Sequence, residues 1–275
     1  MYSNATYQCL DEMFDSVHLS REVLITIIAP TPISSADAFP LLLVNDGQDF
    51  EKLGIFNTVK SLVAQGRIPS LVVVGIHANE DRIWEYGIGG QPDYANRGHR
   101  ADATSRFVLL ELLPYLMETY HIDTQKLGYA GFSLGGLMAL DIAFKHDNVF
   151  GKVGVFSGAL WWRGKALGSG YKESDRLMHA QIRASTQVPN LSCWFQAGTC
   201  DEQDDRDQDG VIDSIQDTLE CIAELERKGL RWRESICYVE VENGEHNPET
   251  WSLVLPDFLV WAFGITSSHD SSQSL

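Results

Sequence analysis

Residues 127–137 read Leu127-Gly128-Tyr129-Ala130-Gly131-Phe132-Ser133-Leu134-Gly135-Gly136-Leu137, an apolar run that enters Gly-x-Ser-x-Gly and passes directly into the helical stretch Met138-Ala139-Leu140-Asp141-Ile142-Ala143-Phe144-Lys145. Strand, tight turn and helix in that order hold a serine at strained backbone angles on the edge of a sheet. Gly131 and Gly135 stand two residues either side, where a Cβ would collide across the bend. The helix begins at once, so its unpaired N–H groups and positive dipole end face charge developing on a bound carbonyl. Ser133 is therefore the candidate nucleophile.

Working outward, β-branched and apolar runs at 23–29, 41–45, 71–76, 127–130, 153–157, 191–197 and 235–242 predict strands. Helical periodicity lies between them at 51–65, 103–120, 134–146, 174–186 and 214–228, with a last stretch at 249–263. Strands that alternate with helices after an N-terminal pair predict an α/β fold, a mostly parallel central sheet with helices on both faces. At 275 residues and 44% hydrophobic content, the chain is expected to form a single domain over 1–275. Residues 1–22 are read as an N-terminal extension or first strand, and the Ser-rich tail 266–275 as frayed.

No stretch approaches the ~18 apolar residues of a membrane span, and Met1–Cys9 lacks a basic region followed by an apolar one, so a cytoplasmic location is expected. A net charge of −17 argues against nucleic acid or an anionic membrane as partner. Residues 201–226 hold eleven Asp/Glu against Arg206 alone, which concentrates the charge in one segment. The five cysteines, Cys9, Cys193, Cys200, Cys221 and Cys237, include no C-x-x-C pair, so reduced thiols are expected instead of a disulfide framework or zinc site. Cys193 and Cys237 fall in strand patterns as core positions; Cys200 borders the acidic segment.

A serine needs a base, and the base needs a carboxylate to orient it. In this strand–turn–helix arrangement the chain order is Ser, acid, His. Downstream of Ser133 lie His179, in a helical pattern; His269, in the tail; and His246, in a polar turn between the last strand and a helix opened by Pro248. His246 is the candidate base. Asp201 is the first carboxylate beyond strand 191–197, with the shortest reach to a histidine on the neighbouring strand, and is chosen over the alternatives Asp204 and Asp205. Oxyanion donors are expected from the Leu134 N–H and from the tight Asp46-Gly47-Gln48 turn, through Gln48.

Two long loops carry aromatics: 77–100, with Trp84, Tyr86 and Tyr94, and 158–173, with Trp161, Trp162 and Tyr171. Aromatics of such loops at a parallel-sheet edge either line a ligand pocket or pack at its rim without touching ligand; Trp161 and Trp162 are taken as substrate-binding candidates.

These residues together resemble the putative-esterase family of α/β-hydrolases, which includes enterochelin esterases, feruloyl esterases, S-formylglutathione hydrolase and the mycolyltransferases. The resemblance runs from about Val23 to Phe263. It rests on Leu41-Leu-Leu-Val-Asn-Asp46-Gly47-Gln48, Arg82-x-x-Glu85-Tyr86, Phe107-x-x-x-Glu111-Leu-Leu-Pro114, Gly131-Phe-Ser133-Leu-Gly-Gly, Gly198-Thr-x-Asp201-Glu and His246-x-x-x-x-Trp251. It implies an α/β-hydrolase fold, a Ser133–Asp201–His246 triad, oxyanion donors Gln48 and Leu134, and substrate contacts from Arg82, Glu85 and Tyr86. There is no clear basic cluster for a catecholate siderophore, and Gln48 is not diagnostic of a subgroup, so substrate identity is not inherited. The expected activity is that of a serine carboxylic-ester hydrolase acting on a small-molecule ester through an acyl-enzyme, with no cofactor required. An acyltransferase of the same fold and a non-catalytic calcium-dependent binding protein are the alternatives.

The last alternative comes from Asp205-Arg-Asp207-Gln-Asp209-Gly210-Val211-Ile-Asp213, which matches a calcium loop at positions 1, 3, 5, 7 and 9, with glycine at 6. Position 12 is Gln216 in place of the bidentate glutamate. A structural calcium held by Asp205, Asp207, Asp209, the Val211 carbonyl and Asp213 is weighed against a solvated acidic loop capping the next helix.

Overall fold

The computed structural model describes residues 6–31 and 38–265; the tail at 266–275 and His269 lie outside them. Eight strands form one sheet in the order β1-β2-β4-β3-β5-β6-β7-β8. β1 (Thr6–Ser16) and β2 (Arg21–Thr31) make an antiparallel hairpin that joins β4 (Val72–Ile76) antiparallel. From there β3 (Phe39–Asn45), β5 (Ile122–Phe132), β6 (Lys152–Phe156), β7 (Ser192–Cys200) and β8 (Ile236–Glu245) run parallel to β4. Every residue of β3 and β4 is buried, as expected for strands covered on both faces.

One face carries α4 (Ala101–Phe107), α5 (Leu113–Tyr120), α6 (Leu134–Lys145), α7 (Leu177–Ala184) and α8 (Asp213–Arg227), whose apolar sides close the larger core. The other is covered by α1 (Phe50–Leu53), α2 (Ile55–Ala64) and α9 (Pro248–Phe263), while the short α3 (Arg82–Glu85) lies in the 77–100 loop. Between α4 and α5 the helix widens to a π turn at Val108–Leu112. Pro114 has no N–H to return to the preceding turn, and this is where the hydrogen-bond ladder changes register. α9 starts sharply because Asn247 accepts the Thr250 N–H at 2.9 Å and Pro248 takes the first helical position.

The strand order fixes where a ligand can sit. The chain leaves β3 toward β4 on one side and leaves β5 toward β6 on the other, so the two neighbouring strands diverge at their carboxyl ends. That crevice is the ligand position of open α/β sheets, and it is bordered by Asp46-Gly47-Gln48 and Ser133.

Candidate active site

Ser133 stands between β5 and α6 at φ 53°, ψ −122°, a strained conformation for a residue with a side chain. Packing enforces it. A Cβ at Gly131 would lie 2.3 Å from the Gly135 carbonyl oxygen, and one at Gly135 2.5 Å from Asp46 Oδ2. The Ser133 N–H donates to the Phe156 carbonyl at 2.9 Å, and the Ser133 carbonyl accepts from Ala159 at 3.0 Å. The backbone is thus held from both sides while the half-buried side chain stays accessible.

Glycines also bring the acid and the histidine together. A Cβ at Gly198 would meet the Gly244 carbonyl oxygen at 2.3 Å, so β7 and β8 converge closely at their ends. There Cys200 is paired with Glu245, and the next residue on each strand is Asp201 and His246. Asp201 Oδ2 accepts the Gly198 N–H at 2.9 Å, while Oδ1 is buried with no partner among the described residues. Burial raises the Asp201 pKa, opposed by the Gly198 N–H, the Ser157 hydroxyl and the charge of His246. His246 shifts the opposite way. Lost hydration lowers its pKa, Asp201 pulls it back up, and the Arg82 charge lowers it further, the net direction being downward. His246 is exposed; its ring centroid lies 5.4 Å from that of Trp251, the two planes at 79°.

Trp251 supports the site beyond its place in the His246-x-x-x-x-Trp251 spacing. It stacks on Phe132 at 4.9 Å and donates from Nε1 to Ser157 Oγ at 2.9 Å. Ser157, at φ 43°, thus anchors the indole beneath His246, and its hydroxyl donates to Gln196 Oε1 at 3.4 Å. The signals in the sequence are the His246-x-x-x-x-Trp251 spacing and a serine directly after β6.

Gln48 and Leu134 follow the neighbouring strands β3 and β5 on the two sides of the crevice, and neither N–H has a backbone acceptor among the described residues. The Gln48 side chain is fixed at both ends: Oε1 accepts the Ala78 N–H at 3.0 Å and Nε2 donates to Asp46 Oδ1 at 3.1 Å.

The expected substrate contacts divide. Glu85 is 1% exposed and is paired with Arg21 at 2.7 Å and Arg100 at 3.5 Å, so it joins the N-terminal hairpin to the long loop instead of facing a ligand. Trp162 is fully buried, and a Cβ at Gly87 or Gly98 would lie 2.9 or 2.8 Å from its ring. It is a wedge beneath the 77–100 loop. Tyr86 is also buried. Arg82 is half-buried above the Tyr86 ring and tied to Asp46. Trp161 alone opens on a cavity of about 420 Å³, shared with Tyr94, Arg97, Arg163, Glu202 and Arg206.

In the acidic loop, Asp205, Asp207 and Asp209 come within 4.8 Å of one another through a ligand atom each. Asp213 does not join them: it accepts the Arg206 backbone N–H at 2.9 Å and pairs with the Arg206 guanidinium at 3.1 Å. Gln216 is engaged with Asp207 at 2.8 Å. The five-ligand set read from the spacing is thus reduced, among its side chains, to three carboxylates. His179 is buried and bonded to the Asp217 carbonyl, away from Ser133. Cys193 is core; Cys237 is only half-buried.

The putative esterase family model matches residues 16–262, and the chain belongs to that family. It is 29% identical over 150 residues to the protein YbbA of Bacillus subtilis (strain 168), a match covering 50% of this chain and 57% of that protein's length. Among solved structures, a ferulic acid esterase superimposes with a TM-score of 0.72 at 16% identity, covering 94% of this chain and 98% of that one. The enterobactin esterase FES from Shigella flexneri, solved in the presence of enterobactin, gives 0.72 at 20% identity, covering 93% and 58%. The BES protein from Bacillus cereus gives 0.65 at 18% identity, covering 96% and 97%. The fold is that of these esterases, an α/β-hydrolase.

Proposed function

We propose that the chain is a serine carboxylic-ester hydrolase of small-molecule esters. Ser133 Oγ attacks the acyl carbon as His246 takes its proton, and the Gln48 and Leu134 N–H groups receive the oxyanion. His246 then protonates the departing alcohol, leaving an acyl-enzyme. Water, deprotonated by the same imidazole, releases the acid and restores Ser133. Asp201 orients the imidazole and balances its charge. No cofactor enters the cycle. The observation that carries this reading is the convergence on one sheet edge of a strained Ser133, two N–H groups without backbone acceptors, and His246 beside a buried carboxylate oxygen.

Ser133 Oγ makes no side-chain hydrogen bond among the described residues; such contacts commonly tighten only with substrate bound. The test is a panel of p-nitrophenyl acyl esters beside feruloyl and catecholate-lactone esters, run with and without an added alcohol acceptor. Hydrolysis of at least one ester class, lost in Ser133→Ala, is expected. Ester formation with the added alcohol outpacing hydrolysis would reassign the protein as an acyltransferase, and no turnover of any ester would contradict the reading.

A further inference from the structure

The loop carrying Gln48 and the turn carrying Ser133 belong to different strands, and their separation decides whether two N–H groups can meet one oxyanion. Side chains span that gap. Asn45 Nδ2 donates to the Gly135 carbonyl at 2.8 Å, and Tyr129 holds Asn45 Oδ1 at 2.9 Å. Asp46, in the left-handed region at φ 65°, turns its carboxylate against Gly135, with Oδ2 only 2.5 Å from where a Cβ there would sit. The Arg82 guanidinium grips both carboxylate oxygens, Nε on Oδ1 and Nη2 on Oδ2, each at 2.7 Å. Nη2 also reaches the Phe132 carbonyl at 3.4 Å, one residue before Ser133. The fork therefore touches both halves of the site, and through Asp46 Oδ1 it holds the Gln48 side chain as well.

We propose that Asp46 and Arg82 are a positioning pair that sets the spacing between the Gln48 and Leu134 N–H groups across the crevice. The inference rests on the hydrolase reading above and reassigns Arg82 from binding substrate to shaping the site. A bidentate guanidinium–carboxylate pair suits this task because two parallel bonds fix orientation as well as distance. The same guanidinium lowers the pKa of His246, which is faced otherwise by the Asp201 carboxylate and the Trp251 ring. Arg82 thereby acts on both the oxyanion donors and the base without touching the reacting atoms.

The test uses p-nitrophenyl butyrate and the full chain, with kcat, KM, the pH profile of kcat/KM and melting temperature measured for each variant. Arg82→Met should lower kcat on the order of 10²-fold, comparable to loss of one oxyanion donor, with KM changed by less than about threefold. Its acid limb should move to higher pH, because the cation opposing His246 protonation is gone. Arg82→Lys keeps the charge without the fork, so kcat should fall while the acid limb stays near wild type. Asp46→Asn combined with Arg82→Met should be little worse than either alone. A raised KM with kcat retained would make Arg82 a substrate contact and overturn the proposal, as would a wild-type kcat in Arg82→Met. If Arg82→Met does not fold, Arg82→Lys and Asp46→Asn decide alone, and full kcat in both overturns the proposal. Wild-type protein inert to every ester would defeat the hydrolase reading itself, whereas active wild type with unaffected variants defeats only the positioning pair.

Discussion

The serine turn at 131–136 and the acidic loop at 202–213 each lead into a long helix, α6 and α8, and each depends on glycine, but for opposite reasons. Gly131 has no room: any Cβ would strike the backbone opposite at 2.3 Å. Gly210 has open space around it and is needed only because its φ is 92°. The first region is buried and closed by sterics, so its motif admits one geometry. The second is mostly exposed, and its carboxylates choose among partners: Asp213 goes to Arg206 and Asp207 to Gln216. A motif read from excluded volume keeps its meaning in the fold. One read from ligand spacing keeps it only where no competing donor stands nearby.

The largest expected effect separates Asp201, which belongs to the rigid region through Gly198 and Gly244, from its neighbours in the loop. Asp201→Asn should lower kcat by about 10³–10⁴, the scale of a triad carboxylate, while Asp204→Asn and Asp205→Asn stay within about threefold of wild type. Steady-state kinetics on one ester decides it; the reverse order would move the acid into the loop.

Next come the two glycines. Gly131→Ala should cost about 2 kcal/mol or more, as an overpacked core position does, and Gly210→Ala about 1–2 kcal/mol from backbone conformation alone. Chemical denaturation measures both, and equal costs would remove the distinction drawn between them. On activity the contrast should be sharper, with Gly131→Ala disabling turnover and Gly210→Ala leaving it.

The pH profile probes the rigid region from another side. Because burial and Arg82 lower the His246 pKa, kcat/KM should rise with pH through an inflection below the ordinary histidine value of about 6.5. An inflection above it would mean that Asp201 dominates the imidazole instead.

The smallest effect is expected in the loop. We propose that Ca²⁺ binds weakly to Asp205, Asp207 and Asp209, raising the melting temperature by about 2–4 °C at millimolar ion and the catalytic rate by less. Superimposable melting curves with Ca²⁺ and with chelator would show a solvated loop.

The same contrast explains what could be read from the sequence. The strand pattern, the serine turn and the strand-end placement of Asp201 and His246 follow from local periodicity and glycine spacing, and the sheet has the parallel order they imply. The N-terminal segment was harder, because β1 alternates polar residues with few apolar ones and only its pairing with β2 makes it a strand. Glu85 and Trp162 were misread as ligand contacts since a loop sequence does not say which side faces inward; Arg21 and the glycines at 87 and 98 turn them toward the core. Asp46–Arg82 and Ser157–Trp251 pair residues 36 and 94 positions apart, and no local pattern shows that either pair meets.

A Ser133 nucleophile activated by its setting is revealed by reaction with a fluorophosphonate followed by intact-mass and peptide mapping. One adduct per chain is expected, on the peptide containing Ser133, formed at a rate that falls steeply in His246→Ala. Labelling that is absent, or that persists undiminished in Ser133→Ala, would contradict that role for Ser133.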